Sequence, residues 1–279
     1  MVSGLLDNDC QSIDYTEIYK VDLHVGLIDR LLKAGDINII LKRRVSNRDK
    51  NRAAIPGIEQ AFDVYTMLQR KVLDDQTGIQ NPVKPEHEEN GGYNTGENQA
   101  PEEINDLIVE GEQIIWRGKP KKNAFILNRA LTMFPLALIW LAGDIFLFIA
   151  FINDAAARQH WWYAVVFFAV HLFPVWVWMY NVLSAGRMWK NVEYAVTDRR
   201  IILRNGLIGY NYQSIYYKSI ESVDLNKGFI DRMLKVGDIH ISVRGVNYKK
   251  SIYKHETAFF DIEHAEDVCK ILKNAVRRR

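Results

Sequence analysis

The chain has 279 residues, 48% of them hydrophobic and 25% charged, with a formal net charge of +2. Its two cysteines, Cys10 and Cys269, stand near opposite ends and read as free thiols, since two isolated cysteines make no structural zinc site. No zinc-finger spacing, RNA-binding aromatic motif, Gly-rich phosphate loop, nucleophile elbow or paired catalytic acids stand out, so nucleic-acid binding, catalysis and a cofactor have no residues to carry them.

The N-terminal segment is half of an internal repeat. Cys10 to Leu41 aligns with Tyr212 to Val243 with eighteen of 32 positions identical, and the match resumes where Ile58-Glu59 meets Ile262-Glu263 and Leu68 meets Leu272. Both copies end in an apolar pattern of helical period, Ala61, Val64, Leu68 and Val72 in one and Ala265, Val268, Leu272 and Val276 in the other. Residues 1–72 therefore form one domain. Its counterpart of the strand signal at Tyr194 to Ile202 is missing, which would expose an unpaired edge. Either the gene begins upstream of Met1 or a strand from the linker or a neighbouring subunit fills the gap.

Within the repeat, GLIDRLLKAGD and GFIDRMLKVGD predict a tight turn, a short helical turn with its Ile and Leu inward, and a glycine, Gly35 or Gly237, that redirects the chain. Asp29, Arg30 and Asp36, with Asp231, Arg232 and Asp238, are expected to be structural, each arginine pairing with a nearby acid; phosphate binding is the alternative. After the next strand each copy carries a basic cluster, including Lys42, Arg43 and Arg44 in the first and Arg244, Lys249, Lys250 and Lys254 in the second. These clusters suit either acidic lipid headgroups or solubilising edge charge.

Residues 73–107 are rich in Asn, Gly, Glu and Gln and too poor in apolar residues to offset their ordering entropy, so a flexible linker is expected that lets the first domain move. Charge is segregated: +1 over residues 1–72, −10 over 73–112, +4 over 113–183 and +7 over 184–279. A juxtamembrane segment spans 108–129.

Residues 130–183 contain two long apolar runs, Ala130 to Ile152 and Trp161 to Leu183, each long enough for the roughly 20 helical residues that cross a hydrocarbon core about 30 Å thick. Neither has the form of a signal peptide. Arg117, Lys119, Lys121, Lys122 and Arg129 precede the first run, and Arg187, Lys190, Arg199 and Arg200 follow the second, against Arg158 alone between them. Retention of positive charge then predicts an inner-membrane hairpin with both termini cytoplasmic. Asp144 and His171 interrupt the runs at depths differing by about 3 Å, so they are expected to pair across the hairpin, either as a structural tie or as a proton-linked or ion-linked site.

Residues 184–279 show strand signals around Tyr194 to Val196, Ile201 to Leu203, Ile239 to Val243 and Ser251 to Tyr253, with Asn205-Gly206 suggesting a type I′ hairpin turn. His255 and His264 lie among acidic residues at a spacing that matches no metal motif. The T-D-R-R segment, the R-x-G-L hairpin, the G-x-I-D-R-x-L-x-x-G-D turn and the preceding G-E-Q-I-I-W-R-G-K-P together resemble the bacterial pleckstrin-homology-like (PH-like) membrane proteins. That resemblance covers 108–276 and, partially, 4–72. It implies small antiparallel β-barrels, each capped by a C-terminal helix, α+β or all-β in class and tethered by the helical hairpin. It also implies a non-catalytic binding or assembly module with an unnamed protein partner or a homo-oligomeric state, in an envelope-stress or antimicrobial-peptide-tolerance setting. The alternative is a small transporter or channel component built on Asp144 and His171.

Overall fold

The computed structural model describes residues 13–42, 52–77, 104–154, 159–207, 209–244 and 257–278. The first repeat runs β1 (Ile18–Val25), α1 (Leu27–Leu32), β2 (Ala34–Leu41), β3 (Arg52–Glu59) and α2 (Ala61–Thr77). β4 (Ile114–Gly118) leads into α3 (Lys122–Asn153), and α4 (Trp161–His171) with α5 (Phe173–Asn191) returns to β5 (Glu193–Thr197), β6 (Arg200–Asn205) and β7 (Tyr210–Tyr216). β8 (Ile220–Asn226), α6 (Phe229–Leu234), β9 (Val236–Val243), β10 (Ala258–Glu263) and α7 (Ala265–Arg277) then repeat the order of β1 to α2.

All strand pairs are antiparallel, in a seven-stranded sheet ordered β3-β2-β1-β7-β6-β5-β4 and a three-stranded sheet ordered β10-β9-β8. β1 pairs with β7 from Lys20 opposite Ile215 to Val25 opposite Tyr210. The expectation of a separate barrel is corrected for the first repeat alone: β4 to β7 and β8 to β10 with α7 surround one core, as expected of the second, whereas the first repeat continues that body's sheet, and the strand that meets its edge comes from within this chain. A first domain moving separately is replaced by one continuous ladder.

Residues in β5, β6 and β7 are buried on both faces, which is why Tyr194–Val196 and Ile201–Leu203 are continuous apolar triplets; Glu193, Thr197, Arg200 and Arg204 at their flanks are buried as well. Tyr194, Val196, Ile201, Leu203 and Ile215 pack with β8 to β10 and α7. The opposite face, through Ala195, Ile202, Tyr212 and Tyr216, packs with β1, β2 and α2. Two half-domains therefore clasp one central sheet.

The linker boundaries also shift. α2 continues to Thr77 with Leu73 buried, and Ile104 and Leu107 are buried in the same core, so the acidic segment is fixed at both ends. The β6–β7 connection spans residues 206–209, with Gly206 at φ 153°, and is longer than the two-residue type I′ turn expected. Gly35 and Gly237 lie within the strands and leave the turn itself to left-handed Lys33 and Lys235: an added Cβ would lie 2.9 Å from Ala61 Cβ in one repeat and 3.1 Å from Ala265 Cβ in the other, so each glycine admits the first residue of the closing helix.

α3 is long and apolar enough to cross a membrane, and only 11% of its most apolar window is buried within the protein. α4 and α5 reach that length only as a pair bent by 51°. The second apolar run is therefore a broken helix, with the break set by Pro174, which supplies no N–H to the carbonyl one turn back.

Candidate functional site

Three polar constellations sit along the axis from the sheet to the hairpin. The deepest in the folded body surrounds Arg200, whose side chain is wholly buried. Its Nε and Nη2 donate to Glu112 Oε1 and Oε2 at 2.9 and 2.8 Å, Nη2 also reaches Leu107 O at 2.7 Å, and Nη1 donates to Ser214 Oγ and Gln69 Oε1. Tyr65 bonds Ser214 at 2.9 Å, and Thr197 donates to Glu112 at 2.7 Å. Burial opposes the charge on Arg200, but the Glu112 carboxylate outweighs it and holds the guanidinium above its ordinary pKa. Through Tyr65 and Gln69, which fall opposite Cys269 and Lys273 in the repeat, this network ties α2 to the shared sheet. Arg200 is thus no free cation flanking the second apolar run, and Arg117 pairs with Glu193 at 2.6 Å.

The second constellation lies where the hairpin enters the body. A cavity of about 790 Å³ is lined by Asn128, Arg129, Thr132 and Asn181 from the helices and by Phe229, Asp231, Asp238 and Asp261 from the second repeat. Asn128 Nδ2 donates to Asp261 Oδ1 at 2.5 Å and reaches Asp231 Oδ1 at 3.4 Å. Asp238 accepts the Asp261 backbone N–H at 2.9 Å, as Asp36 accepts that of Gly57 at 2.8 Å. The backbone is left-handed at both recipients, with φ 62° at Gly57 and 53° at Asp261. A glycine suits that conformation and an aspartate is strained by it, so the second repeat holds a carboxyl group against the local backbone preference. Burial, then the neighbouring Asp238 and Asp231, push the Asp261 pKa up to about 7, against the opposing pull of Asn128 and Arg129.

The third constellation lies within the hairpin. Asp144 Oδ1 and His171 Nδ1 are 2.6 Å apart, and Asp144 is almost wholly buried. Trp140 Nε1 donates to His171 O at 2.7 Å and Trp176 Nε1 to Ala169 O at 3.1 Å, occupying carbonyls that the break at Leu172 releases from the helical ladder. Pairing of this kind fixes the register of facing helices. Asp144→Ala is expected to lower hairpin stability by about 1–2 kcal/mol, and Asp144→Asn by less, read by denaturation in mixed micelles; unchanged stability in both would remove the tie.

The turn residues divide by role. Asp29 and Asp231 cap their own helical turns, accepting the Gly26 and Gly228 N–H groups at 2.9 and 2.8 Å. They are therefore not arginine partners: Arg30 lies 5.7 Å over the Tyr210 ring, and Arg232 is exposed. The Ile and Leu side chains do not all turn inward, since Ile28, Leu31 and Leu32 are exposed. Lys42 and Arg244 follow the ends of β2 and β9 that meet Ile18 and Ile220, opposite in each sheet to the ends nearest α1 and α6. Strand polarity thus carries these two away from the hairpin base. Arg43, Arg44, Lys249, Lys250, Lys254, Cys10 and His255 lie outside the described residues. His264 ends β10 in a left-handed turn, and Cys269 is a buried free thiol.

Sequence reasoning missed Arg200 as a buried centre and met Asp261 only as one of the acidic residues around His255 and His264. The signal for Asp261 was present in the repeat alignment, where an aspartate stands opposite Gly57.

No curated protein and no solved structure matches the chain. The family described as Bacterial PH domain matches residues 136–276, from within α3 through the shared strands to α7. With half of its length so matched, over the elements that build the hairpin and the second repeat, the chain belongs to the Bacterial PH domain family.

Proposed function

We propose that the chain is a bilayer-anchored, non-catalytic PH-type binding module whose folded body rests on the cytoplasmic membrane face. The observation that carries this reading is the direct joint between hairpin and body. β4 ends at Gly118 and α3 begins at Lys122, while α5 ends at Asn191 and β5 begins at Glu193. Lys121 N–H bonds Asp261 O at 2.8 Å, and Trp189 Nε1 bonds Pro120 O at 2.7 Å. A helix of α3's length and apolarity, little of it covered by protein, suits hydrocarbon around it, which supports the anchored reading. The body then has one orientation relative to the bilayer, which is what a recruiting platform needs.

Carbonate washing and protease accessibility test the reading. The protein is expected to remain in the membrane pellet at alkaline pH and to resist protease added outside intact spheroplasts, with digestion of both repeats once the membrane is permeabilised. Release by carbonate, or cleavage of either repeat from outside, would overturn it.

A conducting role for the hairpin has one observation in its favour: Asp144 Oδ2 is buried without a hydrogen-bond partner among the described residues. Ion or proton flux through reconstituted vesicles that is abolished by Asp144→Asn would establish that role; vesicles as tight as protein-free controls would remove it.

A further inference from the structure

We propose that α1 and α6, the repeated helical turns, are paired wedges that insert into the headgroup and acyl boundary of the leaflet from which the hairpin emerges. This inference rests on the anchored reading above and extends it to the folded body. Leu27, Ile28, Leu31 and Leu32 of α1 are 61, 70, 84 and 65% exposed, and Phe229 and Met233 of α6 are 79 and 70% exposed. Scattered apolar residues on a surface need no account, but clusters of large side chains at equivalent positions of two repeats do.

Their placement selects the bilayer as the occupant. Beside α3, Lys121 Nζ donates to Leu234 O at 3.1 Å and Asn128 approaches Asp231, while Phe229 shares the cavity wall with Leu131, Thr132 and Met133. α6 therefore climbs α3 with its N-terminal end toward the start of the apolar run, and Phe229 reaches that level. For α1 the sheet supplies the ruler. Glu193, two residues beyond α5, pairs with Arg204; Asn205 pairs with Asn211; Tyr210 pairs with Val25, which leads into α1. Asn191 Nδ2 also donates to Gly206 O at 3.3 Å. α1 consequently lies at the sheet end from which the hairpin rises.

Both turns are capped at each end and basic at the flank. Each carries its aspartate cap at the N-terminal end and a left-handed lysine at the other, Lys33 at φ 55° and Lys235 at φ 56°. Arg30, Lys33, Arg232 and Lys235 are exposed beside the apolar clusters, the arrangement that places side chains in acyl chains and cations among phosphates. This assigns headgroup contact to the turn lysines and arginines at the hairpin end of the sheets.

Spin labels on the full chain in liposomes of mixed neutral and anionic phospholipid test the proposal. Leu31→Cys, Phe229→Cys, Ile139→Cys and Asp267→Cys are made singly in a Cys10→Ser background, with buried Cys269 retained and the parent lacking an added thiol as the blank. Relaxation by oxygen is expected to exceed that by a water-soluble nickel chelate at Leu31, Phe229 and Ile139, with the reverse order at Asp267 on α7. A lipid-buried label at Ile139 with a water-exposed label at Leu31 or Phe229 overturns the wedges and leaves the anchor standing. A water-exposed label at Ile139 overturns both.

Discussion

Replacing Arg200 with methionine is expected to lower the unfolding free energy by about 3–5 kcal/mol, the usual consequence of leaving a buried charge without its partner. Glu112 would keep two carboxylate oxygens in a site with no exposed side-chain surface, one held only by Thr197 and the other only by the Val109 N–H. The loss should fall on both half-domains, because Gln69 of α2 and Ser214 of β7 meet at the same guanidinium. Urea titration of the detergent-solubilised protein gives the number. The double variant Arg200→Met/Glu112→Leu is expected to lose less than the sum of the single changes, since removing both charges removes the uncompensated one. A single Arg200→Met effect below about 1 kcal/mol would contradict the proposed role of the ion pair as the tie between the halves.

Asp261 supplies the second large effect, and its sign is opposite to that of an ordinary surface carboxylate. Its pKa rises from 3.8 toward about 7 on folding, because burial and Asp238, with Asp231, disfavour its charge more than Asn128 and Arg129 favour it. Between those two values the folded state holds a proton that the unfolded state has released. Stability contributed by this group is complete below about pH 4, falls as pH rises, and is lost above about pH 7. Asp261→Gly, which installs the residue found at position 57, removes both the titration and the left-handed strain. It is expected to flatten the decline between pH 5 and pH 8 and to raise stability at pH 8 by about 1–2 kcal/mol. Unfolding free energies of both proteins at the two pH values check this; parallel curves would show that Asp261 does not titrate in that window.

Features set by local chemistry were legible in the sequence. The α6 turn follows from GFIDRMLKVGD, though its left-handed C-cap is Lys235 and not the glycine, and α7 follows from apolar residues recurring at Ala265, Val268, Leu272 and Val276. Fixed helical rise puts Asp144 and His171 at similar depths in the two apolar runs, a condition for the hydrogen bond between them. Features set by distant chain segments were not legible. An incomplete first repeat signals the need for another strand but not its identity, and β7 lies nearly two hundred residues away. Arg200 reads as one more flanking cation because Glu112, its partner, is 88 residues earlier and in an acidic stretch. The inward reading of Ile28 and Leu31 fails for a different reason. A helix of six residues is too short for periodicity to choose a side, so the choice falls to its surroundings at the end of the sheet.

The shared sheet also fixes an order of events during synthesis. His24 of β1 and Asn211 of β7, joined in the finished protein at 2.6 Å, are 187 residues apart. At roughly 5–20 residues per second, β1 leaves the ribosome roughly ten to forty seconds before its ladder partner exists. The nascent first repeat therefore waits with an open strand edge, a natural client for chaperones, and closes only when the returning chain emerges beside it.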